Sequence, residues 1–360
     1  MTSFPRIGIL TFHRCINYGS YWQARCLVEG LRSRGFDVAI LDHFSSRIER
    51  AELVHALGPI SPVRAAETPL YARKIEKFNE AVESLPLSPA FPLEEPARLP
   101  AGFDTVLVGS DEVWNQRHPW YGACKIFFGW GLPTGRLVSY GASFGNQPPS
   151  DELCPEASAL RSFSALSVRD MNSRTIAERI VGAPIEVVLD PCLQFPEPIA
   201  RAEVTQAPYL LLYGHDLPDW FCSRAVKWAH ERSLGVVSVG YRNDWADAQW
   251  IAAGPAEFAQ AMAAATAVAT TFFHGAVFAL VNGKPFICAS SPYRHNKLSD
   301  LMTLLGTQER LVGEDVAESD FGSALQRPPG EAVMQRIEAL RRRSNAYLQE
   351  ALMHEAVTHA

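Results

Sequence analysis

The chain has 360 residues, of which 47% are hydrophobic and 20% charged, and its formal net charge is −6. That length supports two ordinary domains, and the composition excludes a disordered chain. No basic run exceeds Arg341-Arg342-Arg343, so the electrostatic footprint of a nucleic-acid partner is missing.

In chain order, Arg6–Phe12 reads as a buried first strand. It runs into the polar loop His13–Ser20 and a helix through about Ser33, and Phe36–Asp42 is the next strand. This unit opens a parallel α/β domain. The loop lacks the glycine fingerprints of dinucleotide or nucleotide phosphate sites. Asn17 and Gly19 still suit a ligand-facing turn, although a plain turn with a helix cap explains them too. Ile48–Leu57 and Tyr71–Ser84 read as helices, and the proline-rich stretch 85–100 as a surface crossing. Thr105–Val108 is a buried strand that delivers Gly109, Ser110 and Asp111 to its carboxyl end, where ligands of open α/β sheets collect.

Arg136–Gly145 repeats that design, with Ser143 among the small residues at the strand end. Ser164–Asp170 repeats it again before a helix at Ser173–Val181. Arg169 lies at the strand-to-helix junction, where a guanidinium can clamp a carboxylate or phosphate, or form an ion pair with Asp170 or Glu178. Ile185–Pro191 closes an N-terminal domain over 1–190, and residues 191–208, rich in proline, read as a linker. A second α/β domain over 209–330 holds strands at Tyr209–Tyr213, Gly235–Val239, Ala265–Ala269 and Pro285–Ala289. Helices are expected at Asp219–Ser233, Pro255–Ala264 and Ser299–Leu305. Ser291–Lys297 reads as a polar, basic loop, with Arg294 and His295 as candidate anion-binding residues. Residues 331–360 are a C-terminal helix, expected to pack back on the first domain.

The densest stretch is Thr270-Thr271-Phe272-Phe273-His274-Gly275. His274 follows an apolar strand and precedes the apolar run Ala276–Asn282, so it stands where helix N–H groups and the helix dipole favour anions. An imidazole there can bind an anion as the cation, act as a general acid, or simply cap the helix. Gly275 would let backbone approach a ligand closely. Seven scattered cysteines with no C-x-x-C pair argue against a zinc site and a disulfide framework. Neither a signal-peptide pattern nor a membrane-length apolar run is evident, so a cytoplasmic protein is expected.

Six blocks in register carry a family resemblance. They are Asn17-Tyr18-Gly19 with Gln23-Ala24, Val108–Asp111 with Val113-Trp114-Asn115, Ser139–Gly145, Ser167–Asp170, Val187–Pro191 and Phe273-His274-Gly275. Together, over about residues 6–312, they resemble the polysaccharide pyruvyl transferase family. The resemblance implies two Rossmann-like domains facing across a cleft, as in GT-B glycosyltransferases. It also implies metal-free, cofactor-free transfer of a pyruvyl group from the co-substrate phosphoenolpyruvate to a hydroxyl of a sugar or biosynthetic intermediate. His274 and Arg169 would then be catalytic, and Asn17, Gly19, Gly109, Ser110, Asp111, Ser143, Gly275, Arg294 and His295 would bind the donor. Some family branches carry arginine at the position of Phe272 and another carries serine, and phenylalanine cannot donate to an anion. A GT-B-like glycosyltransferase using a nucleotide-sugar, with Glu257 or Asp244 as a ribose-binding carboxylate, is the alternative. A relative using another small anionic donor is a further one.

Overall fold

The computed structural model describes residues 5–353, apart from 60–63, 123, 134, 200–207 and 291–294. The chain divides into two compact α/β units. The first comprises the described residues of Met1–Glu52, Val82–Pro198 and Glu338–Ala360; the second comprises those of Leu53–Ala81 and Ile199–Ile337.

In the first unit, four parallel strands lie in the order Asp37–Ile40, Arg6–Leu10, Thr105–Val108, Leu137–Ser139. Ile7, Ile9, Val106, Leu107 and Val108 have no exposed surface, as expected of parallel strands covered on both faces. Bridges at Val138–Ala165 and Ala142–Val168 continue the layer toward Ser167–Val168, which pairs with Glu186–Val187. The C-terminal helix Glu331–Met353 contributes Ser344, whose Oγ accepts from Leu189 N at 3.0 Å, and Tyr347, whose hydroxyl donates to Ser139 O at 2.6 Å. Those bonds account for the grouping of Glu338 onward with the first unit.

Six parallel strands form the second sheet, in the order Ala248–Trp250, Gly235–Val239, Tyr209–Tyr213, Ala267–Thr270, Phe286–Ala289, Leu311–Val312. The edge strand Ala248–Trp250 is half-buried throughout, which is why it leaves no apolar run to read. The helix Pro255–Ala264 has the expected bounds. Helix His295–Leu305 begins four residues before the expected Ser299 and absorbs His295, Asn296 and Lys297.

Two boundaries differ from expectation. Residues 53–81 group with the second unit, not with the N-terminal half. Helix Thr68–Glu83 is held there by Lys77, whose Nζ donates to both Glu257 oxygens at 2.6 and 2.7 Å, and by Lys74, whose Nζ donates to Gly240 O at 3.0 Å. The stretch 191–208 is not a simple linker either. Pro191–Gln194 is a buried helical turn capped by Asp190, and Phe195 packs where Gly30 lacks a side chain. The division between units falls after Pro198.

Candidate functional site

Predicted residues gather at the carboxyl ends of the parallel strands in each unit. In the first unit, Asn17 caps helix Tyr18–Arg32: its Oδ1 accepts from Gly19 N at 2.8 Å and Ser20 N at 3.2 Å. That cap presents Ser20, whose hydroxyl donates to Asp111 Oδ2 at 2.7 Å. Gly109 has φ +110°, and a Cβ on it would lie 2.5 Å from Tyr140 O, so the turn admits only glycine. Ser110 Oγ donates to Gly141 O at 2.9 Å, and Ser110 O accepts from Thr11 Oγ1 at 2.8 Å. These bonds aim Asp111, itself at φ 82°, a conformation a non-glycine residue keeps only when its surroundings hold it.

Arg169 is what holds it. The guanidinium donates from Nη2 to Asp111 Oδ1 at 3.2 Å and from Nη1 to Asp190 Oδ2 at 3.1 Å, with 3% of its side chain exposed. Burial opposes its charge, but Asp111, Asp190, Glu112 and Asp170 outweigh that and raise its pKa above the ordinary arginine value. The expected ion-pair partners are engaged elsewhere. Asp170 caps helix Met171–Val181 through Ser173 N at 2.7 Å and accepts from Ser143 Oγ at 2.7 Å, and Glu178 pairs with Arg174 at 2.7 Å. An anion clamped by Arg169 would compete with two carboxylates, so its evident work is to position Asp111.

Beneath the same strand ends lies a second buried cluster. Arg14 grips Asp42 through Nε and Nη2 at 2.7 and 2.8 Å, and His13 Nε2 lies 2.9 Å from Asp42 Oδ1. His43 Nε2 lies 2.9 Å from Thr11 O, and burial, helped by His13, pushes its pKa down to about 3. A neutral His43 donates to that carbonyl, and the cluster fixes the loop ahead of Asn17.

In the second unit, His274 lies in the first turn of helix Phe273–Val281, directly beyond strand Ala267–Thr270, and is 9% exposed. Gly275 serves packing, not ligand approach: a Cβ there would strike the side chain of Thr270. Thr270 Oγ1 is in turn committed, donating to Tyr213 O at 2.5 Å and accepting from Phe272 N at 3.0 Å. Gly275→Ala should therefore cost about 1–3 kcal/mol through overpacking, despite alanine's better helix propensity. A thermal midpoint equal to wild type would contradict this.

Phe272 joins a ring cluster on the strand ends, with centroids 4.8 Å from Tyr213, 5.2 Å from His215 and 5.5 Å from Tyr241. Lys74 Nζ lies 4.5 Å from the Tyr241 ring centre, and burial pushes its pKa down to about 7. Arg242 is held by Glu67 and Asp244, and Asp244 also pairs with Arg64 at 2.5 Å. Glu257 accepts from Gly254 N at 2.7 Å while paired with Lys77. Both ribose candidates are thus committed to ion pairs. His295 is exposed, its Nδ1 2.7 Å from Ser290 Oγ; Arg294 lies outside the described residues.

The family model for polysaccharide pyruvyl transferase matches residues 17–291. The chain belongs to this family. It is accordingly a transferase. A search of curated proteins returns no match. Among solved structures, a putative UDP-N-acetylglucosamine 2-epimerase from Listeria monocytogenes is similar at TM-score 0.50 and 10% identity, covering 98% of each chain. A UDP-GlcNAc 2-epimerase from Neisseria meningitidis is similar at TM-score 0.46 and 11% identity, covering 94% of this chain and 93% of that one. AviGT4, a glycosyltransferase of avilamycin A biosynthesis, is similar at TM-score 0.45 and 14% identity, covering 97% and 99%. At such identities the likeness is one of fold, the GT-B type of α/β architecture. Among the described residues no helix is long and apolar enough to cross a membrane.

Several members of these clusters escape sequence reading. Asp190 falls inside the closing run Ile185–Pro191, with nothing local to mark it as a cap or as a partner of Arg169. Ser20 and Lys74 sit in ordinary helical patterns, with no local mark of their partners. Thr271 reads only as part of a strand end.

Proposed function

We propose that this family member transfers a pyruvyl group from phosphoenolpyruvate to the hydroxyls of a saccharide or a biosynthetic intermediate. The observation that carries this reading is His274, set in the first turn of a helix at the end of a buried parallel strand. A protonated imidazole there can deliver its proton to the methylene carbon of phosphoenolpyruvate. The neighbouring carbon then becomes electrophilic and an acceptor hydroxyl oxygen bonds to it. A second hydroxyl oxygen displaces phosphate and closes the ketal; one hydroxyl proton restores the His274 imidazolium, and the other leaves with phosphate. The balance is donor plus diol giving ketal plus inorganic phosphate. Nothing in this sequence of steps calls for a metal or a further cofactor, and turnover undiminished by EDTA is expected.

The experiment is phosphate release from phosphoenolpyruvate with a panel of saccharide acceptors. His274→Ala should lower turnover by about 10²-fold or more while the circular dichroism spectrum stays unchanged. Turnover equal to wild type would overturn the assignment.

A second reading, transfer from a nucleotide-sugar, is favoured by one feature: the rings of Tyr213, His215, Tyr241 and Phe272 at the strand ends. Aromatic faces suit a base or a sugar ring better than a phosphate. Thermal shift with phosphoenolpyruvate against several nucleotide-sugars separates the two, because only a ligand that binds the native state raises the midpoint.

A further inference from the structure

One pair of residues at the strand ends of the second unit has no part in the steps above. The loop after strand Tyr209–Tyr213 begins Gly214-His215-Asp216. That strand lies parallel to Ala267–Thr270, with Tyr213 opposite Thr270, so His215 and His274 follow adjacent strands at the same end of one sheet. The two loops are in close contact: a Cβ on Gly214 would lie 2.6 Å from Thr271 Oγ1, and Asn243 Nδ2 donates to Gly214 O at 3.0 Å. Only glycine fits there, and the fit brings the next residue, His215, against Phe272.

The imidazole of His215 is held both by packing and by a carboxylate. Its centroid is 5.2 Å from Phe272 and 5.2 Å from Tyr241, at interplanar angles of 80° and 64°, and such edge-to-face contacts fix the plane of the ring. Its Nδ1 lies 2.6 Å from Asp216 Oδ2. Asp216 has φ 53°, a left-handed conformation that aspartate tolerates better than most residues. Among the described residues its carboxylate has no other partner. Helix Asp219–His230 begins three residues on with Pro218 as N-cap and without a side-chain cap, so capping is not what Asp216 is for. With 19% of its side chain exposed, His215 is supported by the ring cluster but not sealed in it. A carboxylate on Nδ1 keeps the hydrogen of the neutral ring on that nitrogen, which makes Nε2 the basic one.

We infer that His215 is a second catalytic residue of the proposed transfer, carrying the second hydroxyl proton from the acceptor to the departing phosphate, with Asp216 as the residue that positions it. The inference rests on the function proposed above. In the closing step the second hydroxyl oxygen bonds to the central carbon of the donor. The carbon–oxygen bond to phosphate breaks, and its electron pair leaves with the phosphate oxygen. The hydroxyl proton passes to His215 Nε2 and from there to that oxygen, so the imidazole ends the cycle as it began. A carboxylate behind such an imidazole fixes its tautomer and stabilises the imidazolium formed in passing. The two histidines thus start in opposite states, His274 protonated and His215 neutral, and neither has to do the other's work.

The test is phosphate release from phosphoenolpyruvate by the full chain, followed with the saccharide panel from about pH 5 to 9, the range in which imidazoles titrate. Wild type should give a bell, its acidic limb set by a base that must be neutral and its basic limb by an acid that must be charged. His215→Gln should lower kcat about 10²-fold with KM within about threefold, and should lose the acidic limb while keeping the basic one. His215→Ala should regain activity when imidazole is added. In Asp216→Asn the ring loses an anionic partner, so the acidic limb should move to lower pH and kcat should fall by about tenfold or less. Tyr241 and Lys74, the other titrating groups at this cluster, are present in every variant. His230, whose Nε2 lies 3.0 Å from Asp247 on the exposed end of its helix, supplies the control: His230→Gln should stay within about twofold of wild type. A His215→Gln variant that keeps both limbs and turns over within about threefold of wild type overturns the inference. So does a fall in kcat that keeps the acidic limb and is not rescued by imidazole, because that is a packing effect. If wild type releases no phosphate with any acceptor, the phosphoenolpyruvate reading fails and takes this role with it, whereas a wild type that turns over beside unaffected His215 variants removes the role alone.

Discussion

Arg169→Met is expected to destabilise the first unit by about 3–5 kcal/mol, the usual scale for removing one partner of a buried ion-pair network. The side chain is 3% exposed, and its two carboxylate partners, Asp111 and Asp190, are 10% and 1% exposed at their side chains. Without the guanidinium, two carboxylates lie close together in a region that water barely reaches. Methionine fills the volume but cannot offset their charge, so at least one must take up a proton or the site must open. The loss should therefore shrink as pH falls, because protonation then costs less. Arg169→Lys should recover only part of it, since a single ammonium cannot reproduce the fork that reaches Asp111 and Asp190 from separate nitrogens. Adding Asp111→Asn to Arg169→Met should recover more, which makes the pair a double-mutant cycle. Urea unfolding followed by fluorescence measures wild type, the two Arg169 variants, Asp111→Asn and the double variant. A methionine variant within about 1 kcal/mol of wild type at pH 7 would show that the network is solvated and that Asp111 is aimed by its neighbours alone.

That network also marks where reading the sequence stops. Strand ends are legible because parallel strands covered on both faces appear as short apolar runs, and glycine, serine and aspartate punctuate them. Thr105–Val108 with Gly109, Ser110 and Asp111, and Ala267–Thr270 with His274, are recognisable on that ground. The family resemblance adds register between those blocks. What each residue touches is a different matter. Arg169 bonds to residues 58 and 21 positions away, while the carboxylate beside it in sequence, Asp170, turns to cap its own helix. Nothing local distinguishes those outcomes, because pairing across strand ends is set by how the loops pack. The same holds for Gly275: a glycine after a histidine at a helix start suggests room for a ligand, but the room is taken by Thr270. The assignment of residues 53–81 to the second unit was hidden for a related reason. The lysines that fasten helix Thr68–Glu83 there, Lys74 and Lys77, lie on a helix whose pattern reads as an ordinary amphipathic surface.

Lys74 makes the last of these points testable, because a buried amine leaves a signature in pH. Its side chain runs into the second unit, where Nζ donates to Gly240 O at 3.0 Å and lies 4.5 Å from the centre of the Tyr241 ring. Burial lowers its pKa from 10.5 to about 7. The folded value lies below the unfolded one, so between about pH 7 and 10.5 the unfolded chain holds a proton that the native chain does not. Stability attributable to this residue must then rise with pH across that window, by about 1.4 kcal/mol per pH unit, and must be lowest at and below pH 7, where the charged amine is buried at full cost. Tyr71 on the same helix, its pKa raised by burial, works in the opposite direction only near and above its ordinary value of about 10. The comparison is therefore made below pH 9. Urea unfolding of wild type and Lys74→Met at pH 7, 8 and 9 isolates the effect, since the methionine variant keeps the apolar stem and every other titrating group. Relative to that variant, wild type should gain roughly 2 kcal/mol between pH 7 and pH 9, because the native amine is still half protonated at pH 7. At pH 7 or below, methionine should be the equal of lysine or better, because replacing a buried charge by an apolar group of similar volume is often neutral or stabilising. A difference between the two proteins that stays constant from pH 7 to 9 would mean that the amine is hydrated in the native state, and that helix Thr68–Glu83 is fastened to the second unit by Lys77 and Glu257 instead.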